Sequence, residues 1–146
     1  MDEIDRKITE LLGADARRSL ADIGGAVGLS ASAVNERIRR LVGAGALRRF
    51  TVDVAPEALG LPVLAFVWVG PAPGADEAGF RAFAAGHAAI GECHHVTGPW
   101  SYLVKVRVAS LAGIEAFLGE LKAAGFLGRS ETVIALSSPV PGACAP

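Results

Sequence analysis

The sequence predicts an α+β protein with an N-terminal winged helix-turn-helix and a C-terminal ferredoxin-like βαββαβ domain. Two observations predict this fold class. Residues 1–50 repeat apolar side chains at helical spacing in three short segments. After residue 62, strand-like apolar runs alternate with two helical patterns in the order βαββαβ. A stretch that contains Pro56, Gly60 and Pro62 interrupts both patterns and marks the boundary.

The patterns divide the chain into four segments. We expect a helix-turn-helix domain at 1–52, a hinge linker at 53–62, a ferredoxin-like domain at 63–138 and a flexible tail at 139–146. The linker follows from its prolines and glycine, and the tail from its high content of proline and glycine. The two folded units are small, but a chain of 146 residues is long enough for both.

Composition and charge exclude several classes of protein. Apolar residues make up 51% of the chain and charged residues 20%, which is typical of a soluble globular protein. No stretch approaches the roughly 20 apolar residues of a membrane helix, and the acidic N-terminus does not resemble a secretory signal. The two cysteines, Cys93 and Cys144, form no disulfide framework. We therefore expect a cytoplasmic protein.

The first segment predicts three helices, over about 2–13, from Ser19 to 27, and over about 31–43. Ser19 is a good N-cap for the second helix, and Asp22 follows it as in a capping box. Two adjacent glycines at positions 24 and 25 each weaken that helix by roughly 1 kcal/mol relative to alanine. Packing must therefore hold the second helix in place.

The third helix carries the pattern of a recognition helix. Gly28, Leu29 and Ser30 predict a tight turn before it, with serine as the N-cap. If Val34 points inward, a rotation of 100° per residue directs Ser32, Glu36, Arg39 and Arg40 outward and places Asn35 on the flank. Small polar residues then precede arginines, as in helices whose first turns enter the major groove and whose later cations meet phosphates.

The charge distribution also favours DNA binding. The whole chain has a net charge of −1, but residues 30–50 hold five basic residues and one acid, a net charge of +4. Residues 46–52 predict a short strand whose Arg48 and Arg49 flank the third helix. A three-helix unit with a solvated charged face is the alternative. The predicted DNA-binding residues are Ser30, Ser32, Asn35, Glu36, Arg37, Arg39, Arg40, Arg48 and Arg49.

Three motifs in this half resemble one family. They are Asp2-x-x-Asp5-Arg6-Lys7-Ile8-x-x-Leu11-Leu12, then Ala26-Val27-Gly28-Leu29-Ser30 with Val34-x-x-Arg37-Ile38-x-Arg40-Leu41, and Gly45-Ala46-Leu47-Arg48. Their order and spacing closely resemble the Lrp/AsnC family, the leucine-responsive or feast/famine regulators. The resemblance implies a transcriptional regulator with an effector-binding domain, active as dimers that assemble further, commonly to octamers.

The second half predicts strands at 61–70, 90–97, 102–108 and 131–137, with helices at 76–88 and after Ser110. Both faces of the first strand are apolar: Leu64, Phe66 and Trp68 lie on one, and Val63, Ala65, Val67 and Val69 on the other. A strand apolar on both faces must be covered on both. In so small a domain, a second subunit is the expected cover for one of them.

A loop in the second half is the candidate effector site. The run Glu92-Cys93-His94-His95-Val96-Thr97-Gly98, followed by Tyr102-Leu103-Val104-Lys105-Val106, resembles the family's central signature. That resemblance implies that an amino acid or related metabolite binds Thr97, Gly98, Pro99, Trp100, Ser101 and Thr132. Many members have an acid where this chain has Ser101, so we expect a less polar effector or weaker amino-acid binding. The alternative is that Gly98 only turns a hairpin.

No catalytic, metal or cofactor site is expected. Adjacent strand residues point to opposite faces, so only Cys93 and His95 could converge, and two ligands do not complete a zinc site. His87 is expected to be an isolated surface residue. Two other functions stay open: an enzyme like the related siroheme decarboxylases, whose histidine- and arginine-rich clusters we do not find, and a sensor or scaffold that no longer binds DNA.

Overall fold

A computed structural model describes residues 1–142 and separates the chain into two compact units, Met1–Thr51 and Val52 onward. Part of the predicted tail, residues 143–146 with Cys144, lies outside the described residues. None of the helices within residues 1–142 could span a membrane.

The first unit contains three helices, α1 (Glu3–Ala14), α2 (Leu20–Val27) and α3 (Ala31–Gly43). Each begins at a side-chain cap: Asp2, Ser19 and Ser30 accept from the backbone N–H three residues ahead. The reciprocal capping box forms at α1, between Asp2 and Asp5. The helices bury one apolar cluster, whose members with no more than 8% exposure are Ile8, Leu12, Ile23 and Val34.

The turn between α2 and α3 depends on two glycines. Gly28 ends α2 in the left-handed conformation, with φ at 72°, as the sequence predicts. Gly24 lies directly under the turn, where an added Cβ would come within 2.4 Å of the carbonyl oxygen of Leu29. The N–H of Leu29 in turn donates to the carbonyl of Gly24 at 2.9 Å. The glycine at position 24 is therefore a packing requirement.

The predicted strand at 46–52 is wrong, because this segment is irregular in the structure. The backbone N–H groups of Ala46 and Leu47 donate to the carbonyl of Leu41 at 2.9 and 3.1 Å, which folds the chain back over the end of α3. All four described strands belong to the second unit, so the segment has no neighbouring strand within its own unit. The first unit is therefore a helix-turn-helix in which the predicted wing, residues 46–52, does not form a strand.

The second unit has the predicted βαββαβ order. Its elements are β1 (Val63–Pro71), α4 (Glu77–Gly86), β2 (Ile90–His95), β3 (Tyr102–Val108), α5 (Leu111–Ala123) and β4 (Leu127–Ile134). The strands form one antiparallel sheet in the order β2-β3-β1-β4. The last strand begins four residues earlier than the predicted Glu131, since it continues along β1 as far as Pro71.

The two faces of the sheet differ. Ala65, Val67 and Val69 of β1 are fully buried against Phe80 of α4 and Phe117 of α5. The other side, which we call the open sheet face, carries Leu64, Phe66, Trp68, Leu103 and Val133 among Glu92, His94, Lys105, Arg107 and Glu131. The buried side chains of α4 and α5 pack against the opposite face. The segment before β1 contains a tight turn in which the N–H of Leu61 donates to the carbonyl of Pro56 at 2.8 Å.

Candidate nucleic-acid interface and effector loop

The outward face of α3 is exposed where the sequence predicts it. Ser32, Glu36 and Arg39 are exposed, and Asn35 is half-buried on the flank. The hydroxyl of Ser30 accepts from the N–H of Ala33 at 3.2 Å and lies 3.0 Å from the hydroxyl of Ser32. The first turn of α3 therefore presents two small, exposed hydroxyl groups.

Two arginines of α3 are bound to carboxylates of α1. Arg37 Nη1 lies 2.6 Å from Asp2 Oδ2 and 2.7 Å from Asp5 Oδ1, and Arg40 Nη2 lies 3.1 Å from Asp5 Oδ2. The Asp5 side chain is only 4% exposed. We call these four residues the α1–α3 ion cluster. Their charges cancel, so the cluster adds little to the positive patch predicted from sequence.

Hydrogen bonds within the ion cluster favour the charged forms. The guanidinium of Arg37 holds the pKa of the Asp2 and Asp5 carboxyls below their ordinary value. The same bonds raise the pKa of Arg37. The cluster therefore stays ionised at neutral pH and ties α3 to α1.

The first unit also carries exposed cations outside the ion cluster. Within residues 1–142, Arg39, Arg48 and Arg49 are exposed and form no ion pair with an acid. Arg40 keeps 61% of its side chain exposed although it pairs with Asp5. Sequence reasoning missed a further pair, Arg17 and Arg18, which are exposed immediately before the N-cap of α2. Two consecutive arginines before a cap residue could have indicated them, because helix N-termini commonly meet phosphates.

The candidate effector loop, residues 96–101, joins β2 to β3. The N–H of Val96 donates to the carbonyl of Ser101 at 2.9 Å, and the N–H of Ser101 donates to the carbonyl of Val69 on β1 at 3.1 Å. Gly98 has φ at 103°, a conformation that side chains disfavour. Thr97, Gly98 and Pro99 are exposed, whereas Trp100 and Ser101 are half-buried. The loop is thus tied to the sheet at its end and open at its tip.

The last strand contributes one predicted residue, Thr132, and one unpredicted residue, Arg129, and the strand register places them on opposite faces of the sheet. Thr132 is half-buried and lies opposite Val67 of β1. Arg129, which sequence reasoning missed, contacts the loop directly. Its guanidinium carbon lies 4.4 Å from the centre of the Trp100 ring, and its Nη2 donates to the carbonyl of Pro99. Sequence reasoning could not find this contact, because helix and strand periodicity do not connect residues thirty positions apart.

The cysteine and histidines have other partners. No three metal-ligating side chains converge anywhere in residues 1–142. Burial raises the pKa of the Cys93 thiol, which makes it a poor nucleophile. The carboxylate of Glu92 lies 3.2 Å from His94 and 2.7 Å from Lys105, and these bonds, that to Lys105 foremost, lower the pKa of Glu92.

His87 is not the isolated surface residue expected from sequence. Its ring packs beside Phe83 and Phe117, and its Nε2 lies 3.0 Å from Glu120. Its Nδ1 accepts from the N–H of Ala89 at 3.2 Å. His87 therefore links the end of α4 to α5, at the point where the chain turns toward β2.

A cleft of about 530 Å³ lies between α4 and β2, lined in part by Arg81, Glu92, His95 and Tyr102. The charged side chains that line it, Arg81 and Glu92, bind neighbouring groups, and the His95 ring packs against the Tyr102 ring. Arg81 Nε donates to Tyr102 Oη at 3.1 Å, and that hydroxyl donates to Glu77 at 2.9 Å. The cleft therefore offers little unpaired charge to a ligand.

Comparison with known proteins supports both halves of the architecture. Residues 1–42 match the AsnC-type helix-turn-helix domain, and residues 64–143 match the Lrp/AsnC ligand binding domain. The chain belongs to the Lrp/AsnC family. This result confirms the resemblance identified from the three N-terminal motifs and from the run that ends at Gly98.

Relatives in the Lrp/AsnC family are named as transcriptional regulators rather than as enzymes. The HTH-type transcriptional regulator FL11 of Pyrococcus abyssi is 32% identical over 138 residues, which cover 94% of this chain and 91% of that protein. The HTH-type transcriptional regulator LrpA of Mycobacterium tuberculosis is 32% identical, over 92% of this chain and 89% of that protein. Both alignments span the two units.

A solved structure shows the same fold with a ligand. A feast or famine regulatory protein from M. tuberculosis, complexed with L-methionine, superposes with a TM-score of 0.89 at 31% identity. The superposition covers 96% of this chain and 95% of that one. The family therefore includes regulators that bind an amino acid.

Proposed function

We propose that this protein is a sequence-specific DNA-binding transcriptional regulator, and that a small effector modulates its oligomeric state or its affinity for DNA. The observation that carries the proposal is the outward face of α3. Ser32, Asn35, Glu36 and Arg39 stand on one accessible side of a helix that begins at an exposed serine cap. Membership of a family with an AsnC-type helix-turn-helix supports the same conclusion.

The residues of the first unit divide into three groups. Ser30, Ser32, Asn35 and Glu36 lie at the end of α3 that enters the major groove, where Asn pairs with adenine and Glu accepts from cytosine. Arg39, Arg48 and Arg49, with the added Arg17 and Arg18, contact phosphates. Arg37, and in part Arg40, hold α3 against α1 through the ion cluster. In this proposal residues 1–52 bind DNA, and the protein acts in the cytoplasm.

The open sheet face supports a homodimer. Phe66, Trp68, Leu103 and Val133 form an apolar strip there, and Val133 leaves 48% of its surface exposed. A second copy that packs the same face against it would bury the strip under two-fold symmetry. The dimer would present two α3 helices to half-sites about one helical turn apart, or a multiple of that. Further association to tetramers or octamers follows the family resemblance.

The effector is proposed to bind in the second unit, residues 63–138, at Thr97 to Ser101 with Thr132. An exposed glycine at position 98 and exposed backbone on both sides of it allow a ligand close to the chain. The M. tuberculosis relative complexed with L-methionine makes an amino acid or related metabolite the class to test. Its binding would act on DNA by shifting the geometry of the assembly through the hinge at 53–62.

A titration of fluorescent duplexes tests the proposed function. One duplex comes from the region upstream of the protein's own gene, and the control has the same base composition in scrambled order. We expect a preference for the upstream duplex of roughly a thousandfold or more at physiological salt. Equal affinities for the two duplexes would show that the protein is not a sequence-specific regulator of that region.

A further inference from the structure

We infer that the effector is recognised by its carboxylate group, which binds the guanidinium of Arg129, and that an ammonium group on the effector is dispensable. The inference rests on the proposed effector site and deepens it, since it names the chemical class of the ligand. No family motif in the sequence points to Arg129.

The side chain of Arg129 is held in place on three sides. Its stem lies across Gly70 of β1, where an added Cβ would come within 2.8 Å of Arg129 Cγ. Its guanidinium stacks over the Trp100 ring at 4.4 Å and donates to the carbonyl of Pro99. A cation fixed before a ligand arrives loses less side-chain entropy on binding it. The arrangement is therefore a preformed cationic group at the effector loop.

The guanidinium retains donors for a ligand. Within residues 1–142, Arg129 forms no ion pair with a carboxylate, whereas Arg81 and Lys105 of the same unit pair with Glu77 and Glu92. An arginine has five N–H donors in a planar fork, and the carbonyl of Pro99 uses one side of it. A carboxylate matches that fork with two parallel hydrogen bonds. An organic acid satisfies both the charge and the geometry.

The loop supplies no negative charge for an ammonium ion. Residues 96–101 contain no acid, and Ser101 uses its backbone N–H and carbonyl to anchor the loop. The nearest acid along β4 is Glu131, an exposed residue opposite Trp68. Because Glu131 lies on the same strand as Arg129, its substitution provides a matched control.

Isothermal titration of the full-length protein with matched ligands tests the inference. The probes are L-leucine, L-methionine and L-phenylalanine, the 2-oxo acid of each, and the amide of each. In at least one of these three sets we expect the amino acid and the 2-oxo acid to bind within roughly tenfold of each other, and the amide to bind at least roughly tenfold more weakly. An amide that binds as tightly as its acid, or no binding in any set, would overturn the inference.

Variants separate the role of Arg129 from general damage. Arg129→Gln is expected to weaken binding of the acids by roughly tenfold to a hundredfold. Arg129→Lys should weaken it by less, and Glu131→Gln should not change it measurably. Unchanged acid binding by a folded Arg129→Gln protein would also overturn the inference. DNA titration without effector, on the same preparations, reports the proposed function separately. If the protein binds DNA specifically but the acids do not bind, the proposed ligand class is wrong and the proposed function stands.

Discussion

Gly24 and Gly25 are neighbours in α2, and propensity assigns both the same cost, but their surroundings differ. A Cβ at position 24 would meet the Leu29 carbonyl oxygen at 2.4 Å, while a Cβ at position 25 would meet nothing within 4 Å. The carbonyl belongs to the backbone of the turn, which cannot move without shifting the start of α3. At Gly24, the steric clash of an added Cβ therefore outweighs the higher helix propensity of alanine. At Gly25, no such clash opposes it.

Alanine substitutions at these two positions should change stability in opposite directions. We expect Gly24→Ala to lower the free energy of unfolding by about 1–3 kcal/mol through overpacking. Gly25→Ala should raise it by about 0.5–1 kcal/mol, because alanine is the better helix former. Urea unfolding followed by circular dichroism measures both. Equal effects of the two substitutions would mean that the turn does not constrain α2.

Asp5 makes the first unit sensitive to acid. Bonds from Arg37 hold the pKa of the Asp5 carboxyl below its ordinary value. A carboxyl with a lowered folded pKa stabilises the protein fully above its unfolded pKa of about 3.9, and that contribution is lost as the pH falls through the folded pKa. Asp2 acts in the same direction. The ion cluster thus contributes at neutral pH and not in strong acid.

The substitution Asp5→Asn isolates this contribution. We expect the variant to unfold at a lower urea concentration than the wild type at pH 7. The gap should shrink as the pH falls below about 4, because the Asp5 carboxyl of the unfolded wild type then takes up a proton, while that of the folded protein does so only at lower pH. Glu10→Gln, a change on the exposed side of α1, is the control. If the gap is the same at pH 7 and in acid, the charge of Asp5 is not what stabilises the unit.

At the scale of the element, α3 carries two kinds of cation: exposed ones, which we propose bind DNA, and paired ones, which hold the helix against α1. Arg39 is exposed and unpaired within the described residues, so its substitution leaves the ion cluster intact. We expect Arg39→Ala to weaken binding similarly on all duplexes and to reduce the salt slope by about one. Lys122→Ala, an exposed cation at the end of α5, is the control. An unaltered slope for Arg39→Ala would remove this residue from the interface.

The apolar strip on the open sheet face leads to a separate prediction about dimerisation. Trp68→Glu would place a carboxylate in the apolar strip opposite Leu103 and Glu131. Burying it unpaired costs several kcal/mol, so we expect the dimer dissociation constant to rise by roughly a hundredfold or more. Sedimentation equilibrium measures the change, with Ala116→Glu on the exposed side of α5 as the control. A Trp68→Glu protein that remains as dimeric as the wild type would place the interface elsewhere.

The elements themselves were largely predictable, because local rules determine them. The bounds of α3 and β3 match the sequence prediction, since a serine cap begins one and strict alternation marks the other. The strand at 46–52 was wrong, because pairing depends on a neighbour that periodicity cannot show. The start of β4 was missed for the related reason that residues 128–130 show no alternation of apolar and polar side chains, and only their pairing with β1 makes them a strand. Contacts distant in sequence, such as those of Arg37 and Arg129, needed the structure.

At the scale of the whole molecule, charge and apolar surface are divided between the units. Residues 1–50 hold nine basic and seven acidic residues, a net charge of +2, whereas residues 51–146 hold five basic and eight acidic residues, a net charge of −3. The first unit attracts a polyanion and the second does not. Such a division suits a protein in which one unit binds DNA and the other assembles and senses.

The most direct test of the account compares the wild type with a Ser32→Ala, Asn35→Ala, Arg39→Ala triple variant. These three side chains leave the apolar core and the ion cluster untouched, so melting by circular dichroism should be nearly unchanged. Titrated against the upstream and scrambled duplexes, the wild type is predicted to prefer its own region and the variant to lose that preference. A folded variant that still discriminates as well as the wild type would contradict the claim that α3 recognises DNA.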